Sequence, residues 1–316
     1  MTDSPPEPSL GRPARPTPRA GARAGLGWRA LLWGLRFAPQ RLASRIVGAA
    51  ARIPLPHPLR RPLLGGFVKT AGIRMDEAEL SLEEYGSFDA LFTRALRPGI
   101  RSWEPGRDVL ASPVDGVIGE CGVVSDGQLV QAKGRHYTAG ALLADEDAAA
   151  RYEGGLFMTI YLSPRHYHRI HTPIPGRVVS ARHVPGRLFP VHPAAVLEVA
   201  HLFARNERLL CTVASDVGEV AVVAVGAMNV GRISAAFDAE WAGGPEEGVT
   251  NRGRAEITER RYAEPLEVSL GAQLMTFHLG STVVLLAPPG LRLESRITTG
   301  LEVEVGHTLA RPHTPN

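Results

Sequence analysis

The stretch Met275-Thr-Phe-His-Leu-Gly-Ser-Thr-Val-Val-Leu-Leu286 carries no Asp, Glu, Lys or Arg, and none appears before Pro289. An apolar run this short, rich in β-branched residues and closed by Pro and Gly, is predicted to be a buried strand. Gly280 inside it marks a bulge or a sharp change of direction. Outward from this stretch, similar runs recur at 117–124, 156–162 and 219–225, with a strand core at 283–286, all separated by Gly and Pro. Turn-rich pieces such as Pro113-Val-Asp-Gly116, Gly290 and 300–306 favour sharply turned sheets over alternating helices. The expectation is a mainly β (α+β) body, residues 76–316, of short-stranded packed or barrel-like sheets, preceded by N-terminal amphipathic helices.

At 316 residues the chain suits one large domain with an appended segment. Its net charge of +3 conceals an asymmetry. Residues 1–75 hold 13 Lys and Arg against Asp3 and Glu7, which is +11, so residues 76–316 carry −8. A basic segment of this kind meets an anionic surface. Residues 1–27, rich in Pro, Arg, Gly and Ala, are predicted to be disordered. From Trp28 onward, Leu31, Leu32, Leu35, Leu42, Ile46, Val47 and Ile53 recur at helical spacing with arginines interleaved, divided by Pro39. Residues 28–75 therefore read as a basic segment lying in a bilayer interface, and the alternative is a surface helix packing on its own domain. A second helix is expected over 88–96, capped by Ser87.

Nucleic acid is disfavoured as a partner, since the basic residues accompany an apolar face and no aromatic stacking array is present. Cys121 and Cys211 form no C-x-x-C pair, which suits a reducing compartment. No run is long and apolar enough for a spanning helix, and the N-terminus lacks the order of a signal peptide. The expected location is peripheral, on the cytoplasmic side of the cell membrane.

His166, His168 and His171 fall within six residues of one another, in Tyr161-Leu-Ser-Pro-Arg-His-Tyr-His-Arg-Ile-His-Thr-Pro173. Clustered imidazoles can hold zinc, with Asp115 as a further ligand, can move protons, or can simply be solvated. On an extended backbone His166 and His168 share a face and His171 takes the other.

Five motifs, in order, resemble those of bacterial phosphatidylserine decarboxylases. They are Pro113-Val-Asp-Gly116, Gln131-Ala-Lys-Gly134, Ser163-Pro-Arg-His-Tyr-His-Arg-Ile-His171, Val225-Gly-Ala-Met-Asn-Val-Gly231 and Leu279-Gly-Ser-Thr282. Ser87-Phe-Asp-Ala-Leu-Phe-Thr-Arg94 resembles the family too, and the likeness spans most of 67–290. Two departures are His166, where the family usually has Asp, and Met228, where Thr is common.

The resemblance implies a precursor that cuts itself between Gly280 and Ser281, leaving chains 1–280 and 281–316. Ser281 becomes a covalent pyruvoyl group, the sole cofactor, whose ketone forms an imine with the substrate amine and serves as electron sink for decarboxylating phosphatidylserine to phosphatidylethanolamine. It implies Asp115 and His171 as orienting carboxylate and base for the Ser281 hydroxyl, and His168 as acid/base in decarboxylation. Gly280 is expected to permit the strained backbone at the cut. No metal is implied. The partners are phosphatidylserine in an anionic membrane and the two chains themselves, with a homo-oligomer left open. Two rivals stand beside this reading: a zinc hydrolase using His166, His168, His171 and Asp115, and a non-enzymatic lipid-binding adaptor.

Overall fold

The structure, a computed structural model, describes residue 34 and residues 40–313 apart from 105, 133, 229–231, 239–248 and 252–255, and of Ser281 only the backbone. The 1–27 tail and Trp28, Leu31, Leu32 and Leu35 lie outside the described residues.

Eight strands form the main sheet, in the spatial order Thr258–Val268, Gly176–Val184, Arg208–Ser215, Gly218–Val225, Ser281–Ala287, Leu156–Leu162, Gly116–Val123 and Glu302–Val303. Every neighbouring pair is antiparallel. The sheet stays open, so packed sheets and not a closed barrel are the outcome. Strand Ser281–Ala287 lies fifth of the eight, and Val283, Val284, Leu285, Leu286 and Ala287 are fully buried. A strand covered on both faces has no place for charge, which accounts for its uniformly apolar sequence.

A second sheet pairs Arg232–Ala235, Gln273–His278 and Arg169–His171. Two of the chain's passages between these sheets run side by side. Leu156–Leu162 of the main sheet leads through 163–168 into Arg169–His171, and Gln273–His278 leads through Leu279 and Gly280 into Ser281–Ala287. Ser281 pairs with Leu162 on one side of the crossing, and Thr276 pairs with Arg169 on the other. The histidine-rich segment therefore runs beside the Leu279-Gly280 bridge.

Before this body come the helices α1 (Gln40–Arg52), α2 (His57–Ala71) and α3 (Phe88–Phe92). Helix α1 docks with its polar side. Gln40, Ser44 and Ala51 are buried, whereas Leu42, Ile46 and Ile53, on the opposite side, are 55%, 61% and 60% exposed. Gln40 Oε1 accepts the Leu188 N–H at 2.9 Å, Arg41 Nη2 donates to the Gly186 carbonyl at 3.1 Å, and Arg45 Nε donates to the Asn251 carbonyl at 2.8 Å. A helix packing in the ordinary way buries its leucines and isoleucines; α1 packs on the body through polar and small residues instead and leaves its apolar side exposed.

Helix α2 starts with Pro58 in its first turn and continues through Pro62, and its Leu64 packs with Tyr85 and Leu91 in a small separate core. Helix α3 is capped as expected, the Ser87 hydroxyl accepting the Ala90 N–H at 3.1 Å. It ends at Phe92 and not at 96, because the chain turns at Thr93 and pairs Leu96 with Ala78.

Candidate active site

His171 closes the short strand Arg169–His171, and its ring is fixed at both nitrogens. Nδ1 lies 2.7 Å from the Gly271 carbonyl, which can only accept, so Nδ1 carries the proton. Nε2 then accepts the Tyr167 hydroxyl at 2.9 Å. Burial pushes the Tyr167 pKa up to about 12 and keeps that hydroxyl protonated. Burial also holds the His171 pKa below its ordinary value, a shift that the nearby Arg169 reinforces. His171 is thus a neutral imidazole with a lone pair on Nε2, the state a general base requires.

Asp115 is buried near the same strand, where Pro113 accepts the backbone N–H of His171 at 2.8 Å. Its carboxylate does not bond to His171. Oδ1 accepts the Val305 N–H at 2.8 Å and Arg101 Nε at 3.1 Å, while Oδ2 pairs with Arg101 Nη2 and lies 3.7 Å from Arg74. Burial would depress the pKa of Arg101, but Asp115, Glu304 and Glu77 together hold it firmly charged. The aspartate and the histidine therefore share a neighbourhood without a direct bond.

His168 is fully enclosed, its ring against Phe92 at 3.8 Å between centroids. Among the described residues neither of its ring nitrogens has a hydrogen-bond partner. Burial lowers its pKa well below the ordinary value, with Arg94 and His166 adding to the effect. Arg94 is itself buried, with Nη2 on the Arg165 and His166 carbonyls at 3.0 and 3.2 Å, and its Nε and Nη1 lack partners. Orphaned buried donors and acceptors are costly, and a polar ligand reaching these would satisfy them.

His166 faces elsewhere. Its Nδ1 accepts the Ser163 N–H at 2.9 Å, and its Nε2 meets Glu302 Oε1 at 3.2 Å. Closing a turn by accepting a backbone N–H is work that Asp also performs, so the departure at this position conserves the local job. The three imidazoles and Asp115 point to separate partners and do not converge, and among the described residues no group of three metal-ligating side chains forms. Of the remaining motif positions, Gln131 is structural: its amide donates to the Val196 and Val199 carbonyls and accepts the Leu202 N–H. Met228 packs half-buried against the core, and Lys133 and 229–231 lie outside the described residues.

At the bridge between the sheets the strained residue is Leu279 and not Gly280. Leu279 has φ +85°, whereas Gly280 is not in the left-handed region and a Cβ there would meet only the Leu162 carbonyl at 3.8 Å. A side chain held at positive φ costs about 1–3 kcal/mol. The residue before it is anchored: His278 Nδ1 lies 3.0 Å from both oxygens of Asp89 on α3, and its Nε2 lies 3.2 Å from Ser234 Oγ. Burial opposes ionisation of Asp89, but the His278 bond and the charges of His278 and Arg232 hold its pKa down. The sequence reading missed Asp89, His278, Arg94, Arg101 and Tyr167. Of these, only Arg101 lies outside every quoted stretch.

Buried histidines held neutral beside a strained strand junction fit the acid/base centre of an enzyme. The family model described as phosphatidylserine decarboxylase matches residues 88–311. A phosphatidylserine decarboxylase proenzyme from Anaeromyxobacter sp. (strain K) is 45% identical over 282 residues, covering 89% of this chain and 98% of the relative. Proenzymes of the same description from Myxococcus xanthus and Xanthomonas euvesicatoria are 41% and 40% identical, covering 81% and 86% of this chain and 88% and 95% of theirs. The chain belongs to the phosphatidylserine decarboxylase family.

Proposed function

We propose that this chain is a proenzyme that cuts itself between Gly280 and Ser281 and then decarboxylates phosphatidylserine to phosphatidylethanolamine at a bilayer surface. The observation that carries the proposal is the pair of adjacent crossings: the segment holding His168 and leading to His171 runs beside the strained Leu279-Gly280 bridge.

In maturation, the Ser281 hydroxyl adds to the Gly280 carbonyl carbon and the peptide nitrogen leaves, turning the amide into an ester. Elimination then frees the Gly280 carboxylate and leaves dehydroalanine at position 281, which takes up water and releases ammonia. His171, neutral and oriented by Gly271, receives a proton on Nε2 from the Tyr167 hydroxyl that already donates there, and Tyr167 takes the hydroxyl proton of Ser281 in its place. Asp115 supplies negative charge nearby and ties segment 302–305, on the small chain after cutting, to the large chain through the Val305 N–H.

The resulting pyruvoyl group supplies an electron sink for the bond to carbon dioxide. The residues present fit such a group, because His168 and Arg94 offer buried polar atoms that have no partner among the described residues. His168, kept neutral by burial, takes a proton from the substrate ammonium and returns it to the carbon that carbon dioxide leaves. Arg94 holds an anionic oxygen of the head group.

Among the described residues no helix is long and apolar enough to cross a membrane, and the outward apolar side of α1 supports peripheral attachment by residues 28–75. Intact mass under denaturing conditions tests the proposal. Two polypeptides are expected, ending at Gly280 and beginning at 281, the smaller blocked to N-terminal sequencing. A Ser281→Ala protein that still splits there overturns it.

A further inference from the structure

A cavity of about 710 Å³ opens where α1 meets the β body, away from the site described above. Gln40, Arg41, Leu42 and Arg45 line it from α1, and Gly186, Arg187 and Arg205 line it from the loops below. Four guanidinium groups around one opening repel one another unless an anion sits among them. Among the described residues no carboxylate forms an ion pair with any of the four. Two are pinned at one edge only, Arg41 by the Gly186 carbonyl and Arg45 by the Asn251 carbonyl. Arg205 lies 5.1 Å over the ring of Phe189. Each keeps further N–H donors for another ligand. Gly186 is required at the floor of the cavity, since a Cβ there would stand 2.5 Å from the Arg205 carbonyl.

From this geometry we infer that the four arginines form a binding site for the phosphodiester head group of an anionic phospholipid. The volume suits a head group and exceeds what a bare ion needs. Leu42, on the rim, begins the exposed apolar side that Ile46 and Ile53 continue, so a head group in the cavity leaves its acyl chains beside apolar surface. The inference rests on the reading of residues 28–75 as an interfacial segment and extends it, because Arg187 and Arg205 belong to the β body and are tested apart from that segment. The site holds the body against the bilayer at a set orientation and prefers acidic lipid to zwitterionic lipid.

The test uses the full chain and the variant Arg187→Gln/Arg205→Gln, with vesicles of phosphatidylcholine alone or mixed with phosphatidylglycerol. Each basic group near anionic lipid contributes about 1 kcal/mol, so removing two weakens partition onto the mixed vesicles by roughly thirty-fold, about 2 kcal/mol at 1.4 kcal/mol per tenfold. Binding to phosphatidylcholine alone, self-cutting and turnover of detergent-dispersed substrate stay as in the parent. Arg187→Lys/Arg205→Lys, which keeps the charge, retains most of the binding and guards against a folding defect. Parent-like binding of the Gln variant to mixed vesicles overturns the inference. So does competition by soluble glycerophosphoglycerol that is equally strong in the parent and the Gln variant, since the head group then binds elsewhere. Loss of detergent activity in the parent protein bears on the proposed reaction and leaves the lipid site standing.

Discussion

Leu279→Gly is expected to slow self-cutting. The parent holds a leucine at φ +85° one residue before the scissile bond, between a strand end clamped by the Asp89–His278 contact and a strand paired on both edges. A strain of about 1–3 kcal/mol stored there is released when the Gly280–Ser281 peptide becomes an ester. Glycine adopts positive φ without that penalty, so the variant begins from a more relaxed precursor. If all the strain is spent in reaching the transition state, its loss lowers the rate by roughly five- to hundred-and-fifty-fold at about 1.4 kcal/mol per tenfold. Leu279→Ala keeps a Cβ and therefore keeps the strain, so it separates backbone from side-chain packing. The assay follows the fraction of intact chain by mass after dilution from denaturant, for parent, Ala and Gly proteins. On a Ser281→Ala background, which cannot cut, the Gly protein is expected to melt no lower than the Ala protein. A Leu279→Gly chain that cuts as fast as Leu279→Ala refutes the reasoning.

Asp115→Ala removes one partner of the Arg101 guanidinium, only 8% exposed, leaving it Glu77 at 2.9 Å and Glu304 at 3.9 Å, and also frees the buried Val305 N–H, so it is expected to cost about 1–3 kcal/mol in stability. Arg101→Leu in the same chain should recover much of the melting temperature but not self-cutting, and recovery of both would make the carboxylate purely structural. Burial lowers the pKa of His168 and His171 in the folded chain from their ordinary 6.5. As pH falls through 6.5 the unfolded chain takes up protons that the folded chain refuses, so stability is greatest above that pH and declines below it. His168→Phe should flatten the decline, and an unchanged slope in acid melting curves would count against it. Leu42→Ser/Ile46→Ser should release the protein from vesicles with no change in melting temperature, since both side chains are already exposed. A large loss of stability in that variant would restore a packing role for this side of α1.

Strand positions were legible where composition left one choice. Leu156–Leu162 falls where the sequence placed it, and Gly116–Val123 and Gly218–Val225 lie within one residue of expectation, because short, mainly apolar runs bounded by Gly favour strands. Helix α2 was not read, since Pro58, Pro62 and the Gly65-Gly66 pair hide its period. Helix α1 was read as amphipathic, but which side faces the protein depends on the Gly186, Leu188 and Asn251 backbone groups, far away in sequence. The candidate site residues were named through motif resemblance, and their partners were not. Arg101 and Val305 reach Asp115 from 14 residues before it and 190 after it, and Asp89 meets His278 across 189. Such pairings are properties of the sheet order and leave no local trace.

The fifth place of Ser281–Ala287 in the main sheet governs what a completed cut can do to the molecule. Residues 281–316 begin with a strand hydrogen-bonded to Leu156–Leu162 on one edge and Gly218–Val225 on the other, and they also supply the strands Leu291–Leu293, Glu302–Val303 and Thr308–Pro312. Severing the chain therefore sheds no fragment, because departure would mean unzipping the sheet through its middle. The route is also one-way in time. An uncut chain threads that strand into place while the ends are tethered, whereas two separated pieces would have to close a sheet around a missing centre and find each other by diffusion. Once unfolded, the mature protein has lost the covalent memory that assembled it, and its working life is set by the rate of opening and not by an equilibrium it can re-enter.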